Sequence, residues 1–383
     1  MPVPLLDLNR QNGGLHAELM AACERVLRSG HFIQGPEVEA LEADCARFLG
    51  VKHAIAVSSG TDAILVALMA LGIGPGDEVI CPSFTFFATA GCIARTGATP
   101  VFADVLTGSF NLDPADAARR STKRTKAIMP VHLFGQAADL DALLALAQSH
   151  NLAVIEDAAQ ALGARHRDRA CGTLGDCGTY SFFPSKNLGG FGDGGLVATP
   201  RDDLAEKIRL LRTHGAKPKY YHAVIGGNFR LDALQCALLR AKLPHLPAYC
   251  AARQAHAAAY HQALGALPGV ATGAGSEPPA SPRLILPLAQ PDRTHIWNQF
   301  TLRVPGAGRR DALRQHLTQA GIGTEIYYPL PLHRQACFAY LPAVTLPVSE
   351  RLAGEVLSIP VFPELTDPEV RDVIAGVAAG IKA

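Results

Sequence analysis

The sequence predicts an α/β fold: a large domain built on a three-layer, mainly parallel sheet with helices on both faces, followed by a smaller α+β domain. Three observations carry this. The chain has 383 residues, enough for about two domains at ~150 residues each, and 48% are apolar against 18% charged. Short β-type apolar runs alternate with helical patterns over the first two-thirds, and this alternation breaks down in the last third.

The elements follow in order. Apolar runs at 54–57, 78–81, 99–102, 125–129 and 152–156 are rich in β-branched residues and predict strands. Between them, 61–71, 87–96 and 140–150 have helical spacing, so βαβ units and a parallel sheet are expected. Strands at 179–183 and 195–198 lie too close together for a full helix between them. A long helical pattern begins at 230–243, and the Ala-rich stretch 250–264 continues it. The Gly-, Pro-, Ser- and Ala-dense segment 265–282 is expected to be a connection. A strand at 296–304 and a helix at 309–320 make the smaller domain. The boundary is placed so that 1–249 is the large domain and 250–383 the small one.

Composition excludes several classes of function. A net charge of +1 offers no footprint for nucleic acid or an anionic membrane. The opening MPVPLLDLNRQ lacks the charged and apolar regions of a signal peptide, and the greasiest stretch, 63–71, is too short to span a bilayer. Nine cysteines without a CxxC pair suggest free thiols in a reducing cytoplasm. The fourteen histidines show no ligand spacing, so no metal site is expected.

Three segments carry chemistry. The turn Ser58-Ser59-Gly60-Thr61-Asp62 follows a strand and opens a helix. Such a turn presents free N–H groups to an anion, although Ser59 or Thr61 can equally be a plain cap. It lacks the endings of a P-loop or a dinucleotide fingerprint, so a nucleoside triphosphate is not indicated. Glu156 and Asp157 close a strand, and ligands of open α/β sheets bind beyond such ends. A carboxylate there can hold the proton of a pyridinium nitrogen, or simply cap a helix; Glu156 reads more as facing a structural partner. Lys186 lies among Phe182, Phe183 and the glycines at 189, 190, 192, 194 and 195. Desolvation gives such a lysine the neutral amine that imine formation needs, while a surface lysine on a hairpin is the plain alternative. The three together are far more specific than any one.

Ordered blocks extend over nearly the whole chain: Gly35-Pro36-Glu37-Val38, Ser59-Gly60-Thr61-Asp62-Ala63, Pro82-Ser83-Phe84-Thr85-Phe86, Glu156-Asp157-Ala158-Ala159-Gln160, Ser181 to Gly189, Gly192-Asp193-Gly194-Gly195, Gly227-Asn228-Phe229-Arg230-Leu231-Asp232 and Tyr328 to His333. In these the sequence resembles the DegT/DnrJ/StrS sugar aminotransferases, pyridoxal-phosphate enzymes of aspartate-aminotransferase fold. The resemblance implies that Lys186 is the Schiff-base lysine and proton shuttle. It implies Asp157 at the pyridine nitrogen, Gln160 on the phenolic-oxygen side, Phe86 stacked on the ring, and Gly60, Thr61 and Ser181 around the phosphate. Asn228 would reach that phosphate from the neighbouring subunit, which makes a homodimer with shared sites.

The donor implied is L-glutamate and the acceptor a keto sugar linked to a nucleotide. The run 228–235 is more similar to relatives that aminate carbon 3 than to those that aminate carbon 4. Tyr327 stands where many members carry histidine, a departure that bears on the sugar and not on the cofactor. The loop 214–222, with Lys217, Lys219 and Tyr221, offers charge and aromatic faces for a sugar diphosphate, as do Arg230 and His333; a solvated basic turn is the plain alternative for the loop. Relatives that dehydrate sugars carry histidine in place of the lysine, so Lys186 argues against dehydration. An aminotransferase acting on another carbonyl, and a regulator, are the remaining rivals; no basic helix-turn-helix stretch supports the latter.

Overall fold

A computed structural model describes residues 2–273 and 282–382. The large sheet has seven strands: β1 (His53–Val57), β2 (Glu78–Pro82), β3 (Thr99–Ala103), β4 (Thr125–Ile128), β5 (Ala153–Asp157), β6 (Cys177–Ser181) and β7 (Gly195–Thr199). Their order is β1-β7-β6-β5-β4-β2-β3, and β7 alone runs against its neighbours. Strands buried on both faces are apolar throughout rather than alternating. Within β1, Ile55 and Val57 enter the core that holds the Gly60–Ala70 and Asp202–Leu211 helices. Ala54 and Ala56 enter the opposite core, against the Pro36–Leu49 and Ala233–Lys242 helices. The three-layer α/β expectation holds.

The smaller sheet joins β8 (Val270–Thr272), β9 (Leu284–Leu286), β10 (Phe300–Arg303) and β11 (Val356–Ile359) in that order. The helix Leu246–Gly265 straddles the expected boundary. Its Leu246 and Cys250 pack in a large-domain core, and its Tyr260 and Leu264 pack in the small-domain core. Val3 also joins the latter.

Several expectations shift. The strand expected at 179–183 is Cys177–Ser181: it begins two residues earlier, and after one last bond in register, from the Phe182 amide to the Gly194 carbonyl at 2.8 Å, the chain turns at Phe183, whose carbonyl takes the Lys186 amide. The strand expected at 296–304 is Phe300–Arg303 only. Its first residues are drawn onto another loop, with the Ile296 amide on Gly135 and the Asn298 amide on Phe134. The helix expected from 230 begins at Ala233, since 227–229 run extended beside 211–214. The expected connection 265–282 contains β8, and its residues 274–281 lie outside the described residues. Among the described residues no helix is long and apolar enough to cross a membrane. All nine cysteines are free and seven are buried.

Candidate active site

The carboxyl ends of β1, β5 and β6 emerge on one edge of the sheet, and the start of β7 lies between two of them. Gly195 pairs with Val57 on one side and Ser181 on the other. Beyond Val57, the Ser59 hydroxyl accepts from the Asp62 amide at 3.0 Å and caps the Gly60–Ala70 helix. The Ser58 and Ser59 hydroxyls both donate to the Asp62 carboxylate, at 2.7 and 2.9 Å. Those side chains are occupied with one another, and the Gly60 and Thr61 amides, at the start of a helix, have no intrahelical acceptor.

Space around this turn is short. A Cβ on Gly60 would sit 2.8 Å from the Ser181 Cβ, and one on Gly195 would sit 2.3 Å from the Ser59 carbonyl oxygen. The turn and Ser181 therefore form one cradle that only glycine at these positions allows. Gly60, which Thr61 follows, lies against Ser181.

The two neighbouring acids at the end of β5 differ in what surrounds them. Glu156, fully buried, accepts from the Gly172, Leu174 and Gly175 amides, each at 2.7 Å, and pairs with His132 Nε2 at 2.8 Å. His132 Nδ1 accepts from the Ala138 amide at 3.0 Å, so Nε2 carries the hydrogen and donates to Glu156. Burial works to raise this carboxyl, but His132 and the amides outweigh it and hold it below the usual range. Glu156 is structural, as its sequence context suggested.

Asp157 has fewer donors, namely the Thr89 hydroxyl at 2.8 Å and the Ala159 amide at 3.2 Å. Burial pushes its carboxyl up against these donors and against the charge of Lys186. Thr89 is a site residue that the sequence reading missed. It lies in the first turn of the Phe87–Arg95 helix, and no local pattern marks it.

Lys186 stands on the turn after β6, half-buried, its amide donating to Phe183 at 2.8 Å. Burial lowers its ammonium to about 8, and Asp157 opposes that shift. Phe86 is the residue before the Phe87–Arg95 helix, whose Thr89 reaches Asp157, and it is 61% exposed.

Other expected residues have protein partners. Gln160 accepts from the Phe134 amide at 2.7 Å and donates to the Tyr328 hydroxyl at 3.0 Å. Tyr328, not Tyr327, thus reaches Gln160, three residues beyond Asp157; half-buried Tyr327 lies near Gln299 instead. Asn228 is exposed and pairs across from Thr213, next to Phe229, whose carbonyl takes the Ser58 amide at 2.9 Å.

In the loop, Lys217 pairs with exposed Glu206 at 3.1 Å, Lys219 lies over the Tyr220 ring at 5.0 Å, and Tyr221 is 71% exposed. Arg230 is half-buried, with a buried Nε that has no hydrogen-bond partner. His333 requires a correction. Its side chain is only 2% exposed, with Nδ1 2.6 Å from the Ser83 hydroxyl and Nε2 3.0 Å from Glu350. Both ring nitrogens are taken, so His333 anchors its own loop and is not offered to a sugar.

No spacing foretold the convergence of Asp141, His166 and Asp292. Each nitrogen of the imidazole faces a different carboxylate, at 3.1 and 3.9 Å, and Arg167 and Arg293 already pair with those carboxylates. The arrangement is a bridged ion cluster.

Comparison with known proteins places this geometry. The pleiotropic regulatory protein of Geobacillus stearothermophilus is 48% identical over 99% of this chain and 98% of its own length. The dTDP-3-amino-3,4,6-trideoxy-alpha-D-glucose transaminase of Streptomyces venezuelae is 44% identical over 98% and 95%. The crystal structure of S. venezuelae DesV in complex with a ketimine intermediate superposes with a TM-score of 0.93 at 44% identity, covering 100% of this chain and 99% of that one. The DegT/DnrJ/EryC1/StrS aminotransferase family matches residues 14–378, and the chain belongs to that family.

Proposed function

We propose that the chain is a pyridoxal-phosphate aminotransferase that moves an amino group from L-glutamate to a keto group, at carbon 3, of a nucleotide-linked sugar in amino-sugar biosynthesis. One contrast carries the cofactor reading. Next to the saturated Glu156 stands Asp157, a buried carboxyl short of donors, and with it Lys186, whose ammonium is lowered to about 8. A pyridinium N–H supplies the donor that Asp157 lacks. The glycine-walled cradle of Gly60, Thr61 and Ser181 suits a phosphate at a helix N-terminus. Phe86 offers its open face to a ring. These residues fit the group.

Bound there, pyridoxal phosphate supplies an electron sink for charge at the donor's α-carbon and carries the amino group between half-reactions. Lys186 would take the proton from the donor's α-carbon and return it to the cofactor's carbon, and would run the same transfer backwards on the acceptor. An amine that titrates near the working pH both accepts and donates. Asp157, its carboxylate oriented by Thr89 and the Ala159 amide, would keep the proton on the ring nitrogen. Gln160, fixed by Phe134 and Tyr328, borders the phenolic-oxygen side. Asn228 of the partner subunit closes the phosphate site, so the active unit is a homodimer. Exposed apolar residues such as Met20, Leu27 and Phe32 are consistent with a covered face. Lys217, Lys219, Tyr221, Arg230 and Tyr327 are the candidates for the sugar nucleotide. Free, mostly buried thiols suit the cytoplasm.

The substrate reading draws on the names of relatives at 44% identity, among them the transaminase of Streptomyces venezuelae. It is tested by offering dTDP- and UDP-linked 3-keto and 4-keto sugars with L-glutamate to the purified enzyme. Amine transfer to a 3-keto sugar is expected; transfer only to small keto acids overturns the sugar assignment. The regulatory name of the 48%-identical relative favours a second reading, a cofactor-binding regulator, which predicts no turnover with any acceptor.

A further inference from the structure

The turn that carries Lys186 is tied down by a second lysine. Lys242 ends the Ala233–Lys242 helix, is 1% exposed, and donates from Nζ to the Gly189 carbonyl at 2.7 Å. A lysine is almost never fully buried unless it is paired. Among the described residues this one forms no ion pair; it faces a peptide carbonyl and the Phe191 ring, 5.9 Å away. Seven residues earlier, two helical turns back, Gln235 accepts from the Phe191 amide at 2.8 Å.

The turn is closed on itself as well. The Gly190 amide donates to Phe182 and the Lys186 amide to Phe183, each at 2.8 Å. A Cβ on Gly189 would stand 2.2 Å from the Pro184 carbonyl oxygen, so the two ends of the turn touch. Asn187 is held by Asn298 at 2.6 Å and by the Ile296 carbonyl at 3.3 Å. The helix thus supplies the two ties that hold the far end of the turn, at Gly189 and Phe191.

We propose that Lys242, seconded by Gln235, is a positioning residue for Lys186, clamping the 184–191 turn so that the Lys186 amine stays out of water beside Asp157. This rests on the reading of Lys186 as the cofactor-bearing lysine. Burial lowers the Lys242 ammonium to about 8, against the charge of Glu364, and below that pH it donates as a cation, a stronger hydrogen bond than a neutral donor makes, which suits a clamp on a single carbonyl. Without it the turn opens, water reaches the Lys186 nitrogen, and the cationic form of that nitrogen is favoured.

The test compares wild-type, Lys242→Met and Lys242→Arg holoenzymes by pH titration of the visible band of the lysine-linked cofactor and by hydrogen exchange. In Lys242→Met the inflection is expected to rise by about half a unit or more. The Lys186 and Gly190 amides should exchange about tenfold faster or more, with the Gly60–Ala70 helix unchanged. Lys242→Arg should restore both. An unchanged titration in folded Lys242→Met overturns the inference even where its melting temperature falls, because a merely structural lysine alters stability alone. A wild type without the band overturns instead the reading of Lys186. Should Lys242→Met not fold, Gln235→Leu at its half-buried position carries the same expected directions, and an unshifted band there overturns the clamp.

Discussion

Gly195→Ala tests the phosphate cradle with a single methyl group. Gly195 has no left-handed backbone to lose, so the cost is one of space. The added Cβ would meet the Ser59 carbonyl oxygen at 2.3 Å and the Gly60 nitrogen at 2.8 Å, against ordinary contacts of 3.4 Å and beyond. About 1 Å of overlap must be relieved, and both contacted atoms are main chain, which cannot rotate aside. The neighbouring strand positions are pinned by pairing of Gly195 to Val57 and Ser181, so the Ser59–Thr61 turn moves. Overpacking of this kind costs about 1–3 kcal/mol. If the strain falls on the turn that holds the phosphate, cofactor affinity weakens by about 5- to 150-fold. The assay is titration of apoprotein with pyridoxal phosphate, followed by absorbance. Gly354→Ala is the control: its Cβ meets nothing within 4 Å on the Pro347–Glu355 helix. It should gain about 0.5–1 kcal/mol of stability and leave affinity alone. Wild-type affinity in Gly195→Ala would refute the cradle.

Three further outcomes follow from Lys186 and the strand-end acids. Rebinding of cofactor to apoprotein should accelerate through about pH 8, where burial places Lys186, rather than through the ~10.4 of an ordinary lysine. Asp157→Asn, which removes the charge opposing that shift, should move the inflection lower, and a profile still rising at pH 10 would contradict the assignment. Glu156→Ala strips His132 and three amides of their acceptor and should cost about 3–5 kcal/mol in urea unfolding. Since Glu156 titrates below its ordinary value, its contribution is full above the unfolded pKa of ~4.3 and is lost on acidification through the folded one. An unchanged midpoint at pH 7 would deny its structural role.

Much of the fold was legible because strands buried on both faces carry unbroken apolar runs, as at 54–57 and 79–81. Strand ends were harder to read, because non-local bonds decide them. Nothing near Ile296 announces that its amide will be claimed by Gly135. The site was legible where one residue type does one job: a lysine among glycines, or an acid at a strand end. It was illegible where the partner arrives from elsewhere in the chain. Thr89 reaches Asp157 across 68 residues, and Ser83 reaches His333 across 250. The latter turned a candidate sugar ligand into an anchor. Tyr327 and Tyr328 share one local sequence, and only packing shows which of them reaches Gln160.

The central claim is that Lys186 carries the cofactor, and chemical trapping tests it most directly. The purified holoenzyme is reduced with borohydride, digested, and its peptides are weighed. The account predicts one modified lysine, Lys186, with the label absent when L-glutamate is added before reduction. The chain holds a second buried lysine with an ammonium lowered to about 8, Lys242, which makes the outcome discriminating. A label on Lys242, or none on Lys186 in the protein as purified with its visible band, would contradict the account.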